Sequence, residues 1–264
     1  MLDAATHIAA GGDIVWITLD SLRHDVAVAA HAAGQTPNLA ALLGPDGWQR
    51  RHSPGSFTLP AHQAFLTGFL PDPPGAFRPP RMFAGSFAGA VGVRPGTFVF
   101  EEPSLPGALA ARGYRTACFG GVGFFSGRGA FGRIIPDLFG EWYWSPATGP
   151  QSSISTAALA DTVCAWYADL ATDRPVFALI NVATTHTPTH LHLPDARRDT
   201  VASQAAALAY SDQELGRVLA ALRRPTLLVI CSDHGDCFGE DGYHGHGVAH
   251  PHVWTVPYWE GILP

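Results

Sequence analysis

Nowhere in its 264 residues does this chain hold an unbroken apolar run approaching the ~18 residues that suggest a membrane-spanning helix. The amino-terminal stretch MLDAATHIAAGGD lacks a basic flank followed by an apolar core, so no secretory signal is expected. Cysteine is scarce: Cys118, Cys164, Cys231 and Cys237 are scattered and form no C-x-x-C pair. Zinc-finger spacing is thereby excluded, and the four read as free thiols in a reducing cytosol, which gives a cytoplasmic expectation. Basic residues are few as well. Sixteen Lys and Arg against 22 Asp and Glu leave a net charge of −6, and no basic stretch occurs. Such a chain could not neutralise a phosphate backbone, so nucleic acid is excluded as the main partner. A single anionic small molecule is not excluded, because a bound metal can supply positive charge locally.

What the chain does have is apolar material. Hydrophobic residues make up 47% and mean hydropathy is slightly positive, enough for a sizeable core and against disorder. With neither repeat nor linker, residues 1–264 read as a single domain. The run Asp13-Ile14-Val15-Trp16-Ile17-Thr18-Leu19 is short, β-rich and stops at Asp20. That profile suits a strand buried on both faces of a parallel sheet, with a polar residue at its carboxyl end. Similar runs recur at Tyr114 to Phe119, Val176 to Val182 and Thr226 to Ser232. Helical spacing lies between them, at Asn38 to Leu43, Leu105 to Arg112, Thr156 to Leu170 and Ala202 to Leu222. The alternation predicts a three-layer α/β/α sandwich with a mostly parallel central sheet. Two segments rich in Gly, Pro and aromatics, Pro71 to Gly96 and Gly120 to Gly149, read as long ordered loops forming a lid or pocket wall.

Three segments carry side chains suited to chemistry. Asp20-Ser21-Leu22-Arg23-His24-Asp25 follows the first strand, where ligands bind in open α/β sheets, so Asp20 is a candidate metal ligand. Taken alone, it serves equally as a helix N-cap. In Ser56-Phe57-Thr58-Leu59-Pro60-Ala61-His62, Thr58 precedes a proline-started helix whose free N–H groups would stabilise negative charge on its oxygen or on a bound ester. Simple capping accounts for Thr-x-Pro as well. The third segment, Leu227 to Ser232 followed by Asp233-His234-Gly235-Asp236, delivers a carboxylate and an imidazole side by side at a strand end. Adjacent titratable groups make poor core residues, and the glycine lets the backbone turn away.

Together these segments resemble the sulfatase-like branch of the alkaline phosphatase superfamily. The resemblance rests on Asp20 after the first strand, Thr58-x-Pro60 with Leu66-Thr67-Gly68, and Ser232-Asp233-His234-Gly235. Thr36-Pro37-Asn38-Leu39, Asp212 with Leu215-Gly216, Gly245-His246-Gly247 and Val256-Pro257 are similar to further family segments, in family order from residue 13 to 262. Sulfatases carry Cys or Ser in Cys-x-Pro-Ser-Arg, oxidised to formylglycine. Here Thr58 takes that place, with Ala61 and His62 where Ser and Arg would stand. Threonine is not a substrate for that modification, which counts against sulfate-ester hydrolysis by the usual route. Threonine nucleophiles occur in family members that transfer phosphoryl-centred groups.

The resemblance implies a divalent metal held by Asp20, Thr58, Asp233 and His234. Mixed N/O ligation favours Zn²⁺ or Mn²⁺ over Ca²⁺. One ion is expected, since Asn181-Val182-Ala183 stands where two-metal members carry an Asp; a second remains possible. His186 and His246 are expected to contact substrate oxygens or the leaving group, and His62 and His190 are further candidates for substrate contact. His190, with His192, His244, His250 and His252, also fits a solvent-facing loop histidine. The implied function is hydrolysis of phosphate mono- or diesters, or phosphonate esters, through a phosphothreonine. Transfer to another acceptor, sulfatase action, or a non-catalytic metal-binding scaffold are the alternatives. The smaller carboxyl-terminal subdomain of full-size sulfatases is not expected after Ile262, so a partner protein or oligomer could complete the pocket.

Overall fold

A computed structural model of the chain describes residues 2–68, 83–85, 98–100, 104–171, 174–222 and 225–264. Its centre is a seven-stranded sheet. The strands are β1 (Asp13–Leu19), β2 (Gln49–His52), β5 (Arg115–Phe119), β6 (Glu141–Tyr143), β7 (Val176–Val182), β8 (Thr226–Cys231) and β11 (Thr255–Leu263), with β3 (Phe83–Gly85) pairing β4 (Phe98–Phe100) and β9 (Cys237–Phe238) pairing β10 (His244–Gly245) apart from it. The order across the large sheet is β2-β11-β8-β1-β7-β5-β6. From β8 to β6 every pairing is parallel, and β11 runs antiparallel to both β8 and β2. β1 therefore sits at the middle with β7 and β8 on its flanks. Their continuous apolar runs are those of strands covered on both faces.

Helices α1 (Ala4–Ala9), α2 (His24–Ala32), α3 (Pro37–Leu43), α4 (Thr58–Thr67), α5 (Leu105–Ala111), α6 (Gly129–Arg133), α7 (Ser155–Ala168), α8 (Val201–Ala221) and α9 (Pro251–Trp254) complete the chain. Alternation along β1 divides the core. Val15, Ile17 and Leu19 face a cluster fed by α2, α3, α7 and α8. Ile14 and Trp16 face a second cluster fed by α4 and α5. The result is the three-layer α/β/α sandwich with a mostly parallel sheet.

Two segments noted in the sequence meet here. Asp212, inside α8, accepts N–H groups from Asn38 and Leu39 at 3.1 and 2.7 Å, satisfying donors at the amino end of α3 that would otherwise be orphaned. Gly216, one turn on, leaves room for Asn38, whose Oδ1 would lie 2.6 Å from an added Cβ.

One expectation is corrected. Residues 120–149 do not form one long ordered loop; they contain short helical turns, α6 and the edge strand β6, and several of them line a cleft at Thr58. The Pro71 to Gly96 segment lies outside the described residues except for the strand β3. No described helix is long and apolar enough to cross a membrane.

Candidate active site

Parallel strands deliver their carboxyl ends to one edge of the sheet, and the site is built there. β1 ends at Leu19, and Asp20 follows with Ser21 held at φ +62°, a conformation rare for a residue with a Cβ. That turn aims Ser21 N–H at Asp233 Oδ1 (3.2 Å) and Ser21 Oγ at Asp20 Oδ1 (3.1 Å). β8 ends at Cys231 and presents Asp233 and His234 beside Asp20. Gly235 is not a left-handed turn. A Cβ there would lie 2.0 Å from the His252 carbonyl oxygen, so close approach of the following chain is what requires glycine.

Asp20, Asp233 and His234 are all completely buried, and their ligand atoms lie within 4.8 Å of one another. His234 Nε2 stands 3.7 Å from Asp20 Oδ1 and 3.6 Å from Asp233 Oδ2. Thr58 Oγ1 is 3.5 Å from both Asp20 Oδ2 and His234 Nε2. Donors about 2.0–2.2 Å from a tetrahedral ion are spaced roughly 3.3–3.6 Å apart, so these separations fit a shared cation better than a hydrogen-bond network. Asp233 Oδ2 is buried without a hydrogen-bond partner among the described residues. Burial, then the charge of Asp20, pushes the Asp233 carboxyl well above its ordinary range. Burial also pushes Asp20 upward, but His186, His234 and the Asn181 amide outweigh it and hold Asp20 below. Burial drops His234 to about 3, against the pull of Asp20, leaving a neutral ring. Its Nδ1 donates to the Gly235 carbonyl at 3.0 Å, which frees Nε2 as a lone-pair donor. Two buried carboxylates and a neutral imidazole with an orphaned oxygen form a donor set that suits a divalent cation.

Thr58 is the first residue of α4, not the residue before it, and is nearly buried. Phe57 at the N-cap supplies no side-chain acceptor, so the helix amino end lacks a capping group of its own. A cleft of about 680 Å³ opens at Thr58, with His186 and His246 on its wall. The rings of His186 and His246 are 5.1 Å apart, and His246 lies 4.5 Å from His234. His246 Nδ1 is 2.9 Å from Asp236 Oδ1, so a proton there is held by the carboxylate and Nε2 is left for other contacts. Burial opposes charging of His246, but the bond to Asp236 and the charges of Asp236 and Asp20 raise its pKa.

The structure does not bring His62 to the cleft. Its side chain is completely buried, with Nδ1 donating to the Thr58 carbonyl (2.8 Å) and Nε2 against Thr18 Oγ1 (3.2 Å), between Phe65 and Phe125. Burial lowers its pKa. It braces α4 from behind, with no ring nitrogen left for a substrate. His190 is likewise engaged elsewhere: its Nδ1 is 2.8 Å from Asp199, and it does not line the cleft. Among the remaining loop histidines, His244 is exposed, whereas His250 is buried.

Sequence reading passed over two residues that touch the site. Asn181, at the end of β7, is completely buried and donates to Asp20 Oδ2 at 2.9 Å. Asp236, also completely buried, holds His246. The sequence marks Asn181 only as a residue that is not an aspartate and Asp236 only as part of its segment; the available signal is that Asn181 falls at the end of β7 and Asp236 in the loop that follows β8.

A parallel sheet with an Asp-Asp-His cluster and a threonine at its carboxyl edge defines an alkaline phosphatase-like protein. Residues 13–258 match the family model described as Sulfatase, and the chain belongs to that family, within the alkaline phosphatase superfamily. Members are metal-dependent enzymes acting on phosphate or sulfate esters. The fold is similar to the carboxyl-terminal periplasmic domain of EcEptC from Escherichia coli in complex with Zn, at TM-score 0.64 and 14% identity, covering 94% of this chain and 72% of that one. It is similar to the lipoteichoic acid synthase LtaP from Listeria monocytogenes, at TM-score 0.59 and 16% identity, over 95% of this chain and 65% of that one. A putative sulfatase from Bacteroides thetaiotaomicron gives TM-score 0.64 and 13% identity, over 95% of this chain and 64% of that one. Among curated protein sequences none matches.

Proposed function

We propose that the chain is a metal-dependent hydrolase of phosphate mono- or diesters that works through a phosphothreonine at Thr58. One observation carries the reading: Thr58 Oγ1 lies 3.5 Å from Asp20 and from His234, at a helix amino end and at the floor of an open cleft. Asp20, Asp233 and His234 would hold Zn²⁺ or Mn²⁺ with Thr58 Oγ1. A divalent ion there supplies Lewis acidity and lowers the pKa of a hydroxyl that it binds. Thr58 Oγ1, its proton already released to solvent, attacks phosphorus; the Oγ1–P bond forms and the bond from phosphorus to the leaving oxygen breaks. His246, its Nδ1 proton fixed on Asp236, or His186 beside it, gives a proton to the departing oxygen. Water then cleaves the phosphothreonine, with the same histidine taking a proton back. The uncapped amino end of α4 offers oriented N–H groups to the developing charge.

Threonine in place of the cysteine or serine that becomes formylglycine supports phosphate over sulfate esters. The neighbouring fold of a lipoteichoic acid synthase favours a second reading, transfer to an acceptor other than water. A partner or second copy completing the cleft belongs to the same proposal. The free cysteines support a cytoplasmic location, whereas the EcEptC neighbour is a periplasmic domain. The test is turnover of p-nitrophenyl phosphate, bis-p-nitrophenyl phosphate and p-nitrophenyl sulfate with Zn²⁺ or Mn²⁺ added, with and without an alcohol acceptor. Activity on either phosphate ester that vanishes in Thr58→Ala, with a phosphorylated Thr58 peptide trapped from the native protein, is the expected result. An active Thr58→Ala removes the nucleophile from the scheme.

A further inference from the structure

The far wall of the Thr58 cleft is a built surface. It is lined by Val122, Phe124, Phe131, Trp144 and Pro150, all beyond the reacting end marked by Thr58, His186 and His246. Trp144 is fixed as a flat platform: its indole Nε1–H donates to the Gly121 carbonyl at 3.0 Å. Over that indole, 4.8 Å from the ring centre, lies the guanidinium of Arg128. The loop that carries Arg128 is closed on itself, with Gly127 N–H donating to the Gly132 carbonyl at 2.9 Å and Arg128 N–H meeting Ser126 Oγ at 3.3 Å. Gly127 sits at φ +67°, and a Cβ there would strike Trp142 at 2.4 Å, so this turn admits little variation.

Among the described residues Arg128 is the one arginine or lysine on the cleft lining, and it has no carboxylate partner there. Arg23, which follows the Asp20-Ser21 turn, is by contrast spent on Asp25 and Glu240. Phe131, on the same wall, is 65% exposed and adds accessible apolar surface beside Phe124 and Trp144. Phe57, directly before the nucleophile, tilts towards Phe124 at 6.2 Å and extends the apolar surface back to Thr58. At about 680 Å³ the cleft exceeds what a bare phosphate needs and falls within the range that holds a medium-sized organic ligand.

We propose that this wall is the subsite for the organic group of the ester, and that it selects an aromatic group bearing a second anionic substituent, such as an aryl carboxylate. The phosphate would sit at Thr58, the ring against Trp144 and Phe124, and the distal anion on the Arg128 guanidinium. Stacking accounts for ring selectivity, and an arginine that remains on its indole while pairing with a carboxylate accounts for the distal charge. The proposal rests on the phosphoester reading of the site, and its test separates the two.

Binding is measured by calorimetry on the Zn²⁺-loaded full chain with methylphosphonate, phenylphosphonate and 4-carboxyphenylphosphonate; turnover is measured in parallel on the matching phosphate monoesters. Phenylphosphonate is expected to bind roughly tenfold tighter than methylphosphonate, and the 4-carboxy compound roughly tenfold tighter again. In Arg128→Gln the ratio of 4-carboxyphenyl to phenyl binding should fall to about one, and in Trp144→Leu the ratio of phenyl to methyl should fall; the native series stands even if a variant misfolds. Equal binding of all three ligands, or binding of none, overturns the subsite. Graded binding without turnover of any ester leaves the subsite standing and removes the hydrolase reading instead.

Discussion

Asn181 Nδ2 donates to Asp20 Oδ2 across 2.9 Å, while Oδ1 of the same amide accepts the N–H groups of Gly121 and Val122 at 3.2 and 3.3 Å. One buried side chain thus ties a candidate ligand just after β1 to the loop after β5 that forms the cleft wall. The amide also reaches Thr18 Oγ1 at 3.3 Å, and Thr18 meets His62, which braces the Thr58 carbonyl. Ligand, wall and nucleophile are therefore set by one polar chain beneath the cleft.

Removing that amide should weaken the metal site without emptying it. For Asn181→Ala we expect Zn²⁺ affinity to fall about 10–100-fold, the usual consequence of losing a group that orients a ligand. Competition titration against a chromophoric chelator reads this directly, and circular dichroism checks that the fold persists. Unchanged affinity would mean that Asp20 is not a ligand or needs no orienting.

Much of the fold was legible because buried parallel strands write themselves as unbroken apolar runs. Val176 to Val182 was read with its observed limits, and Asp13–Leu19 likewise. The edge strand β2 was not, because Gln49–His52 is polar and wholly exposed and carries no apolar periodicity. β6 has the same difficulty in three residues. At the site, Asp233 and His234 are legible because adjacent titratable groups at the end of a buried strand make poor core residues, whereas Asp20, which alone fits a helix N-cap, is singled out only by the family resemblance. His62 was misjudged because sequence position next to a nucleophile does not reveal which side of a helix faces the cleft; α4 turns it inward onto Thr18. The bond from Asn181 to Asp20 is not legible, because a neutral amide at a strand end looks like any other polar stop.

Asp236 makes a kinetic prediction. It touches no reacting atom and acts by holding His246 at 2.9 Å. Asp236→Asn should lower kcat on the order of tenfold or more, short of the ~10²–10⁴ that general acid catalysis supplies. The loss should be larger for phenyl phosphate than for p-nitrophenyl phosphate, whose better leaving group needs less protonation. A purely structural defect would slow both equally, so the ratio of the two rates is the measurement.

Asp212 makes a prediction about stability. Its buried carboxylate satisfies two backbone N–H groups of α3 and the Asn38 side chain. Asp212→Ala leaves those donors buried without an acceptor, at about 1–3 kcal/mol for each group that finds no water. The urea midpoint should fall with the slope unchanged. Asp212→Asn should recover part of the loss, since its carbonyl oxygen can still accept one bond.

Glu141 tests the same logic through acid. Its carboxylate accepts from Arg115 Nε at 2.5 Å, Tyr143 Oη at 2.8 Å and Trp166 Nε1 at 3.1 Å, pinning the edge strand β6 to α7. The Arg115 bond, against a smaller opposing push from burial, lowers its pKa from 4.5 to about 2. A depressed carboxylate pKa means that the unfolded chain takes up the proton first as pH falls. The stabilisation is therefore complete above about 4.5, declines between 4.5 and 2, and is gone below that. Because the group is 29% exposed, solvent screening reduces its worth to on the order of 1–2 kcal/mol. Native protein should exceed Glu141→Gln in urea stability at pH 6, by a margin that shrinks at pH 3.5 and again at pH 2.5. A margin that stayed constant over that span would show that packing of the side chain, and not its charge, holds β6 in place.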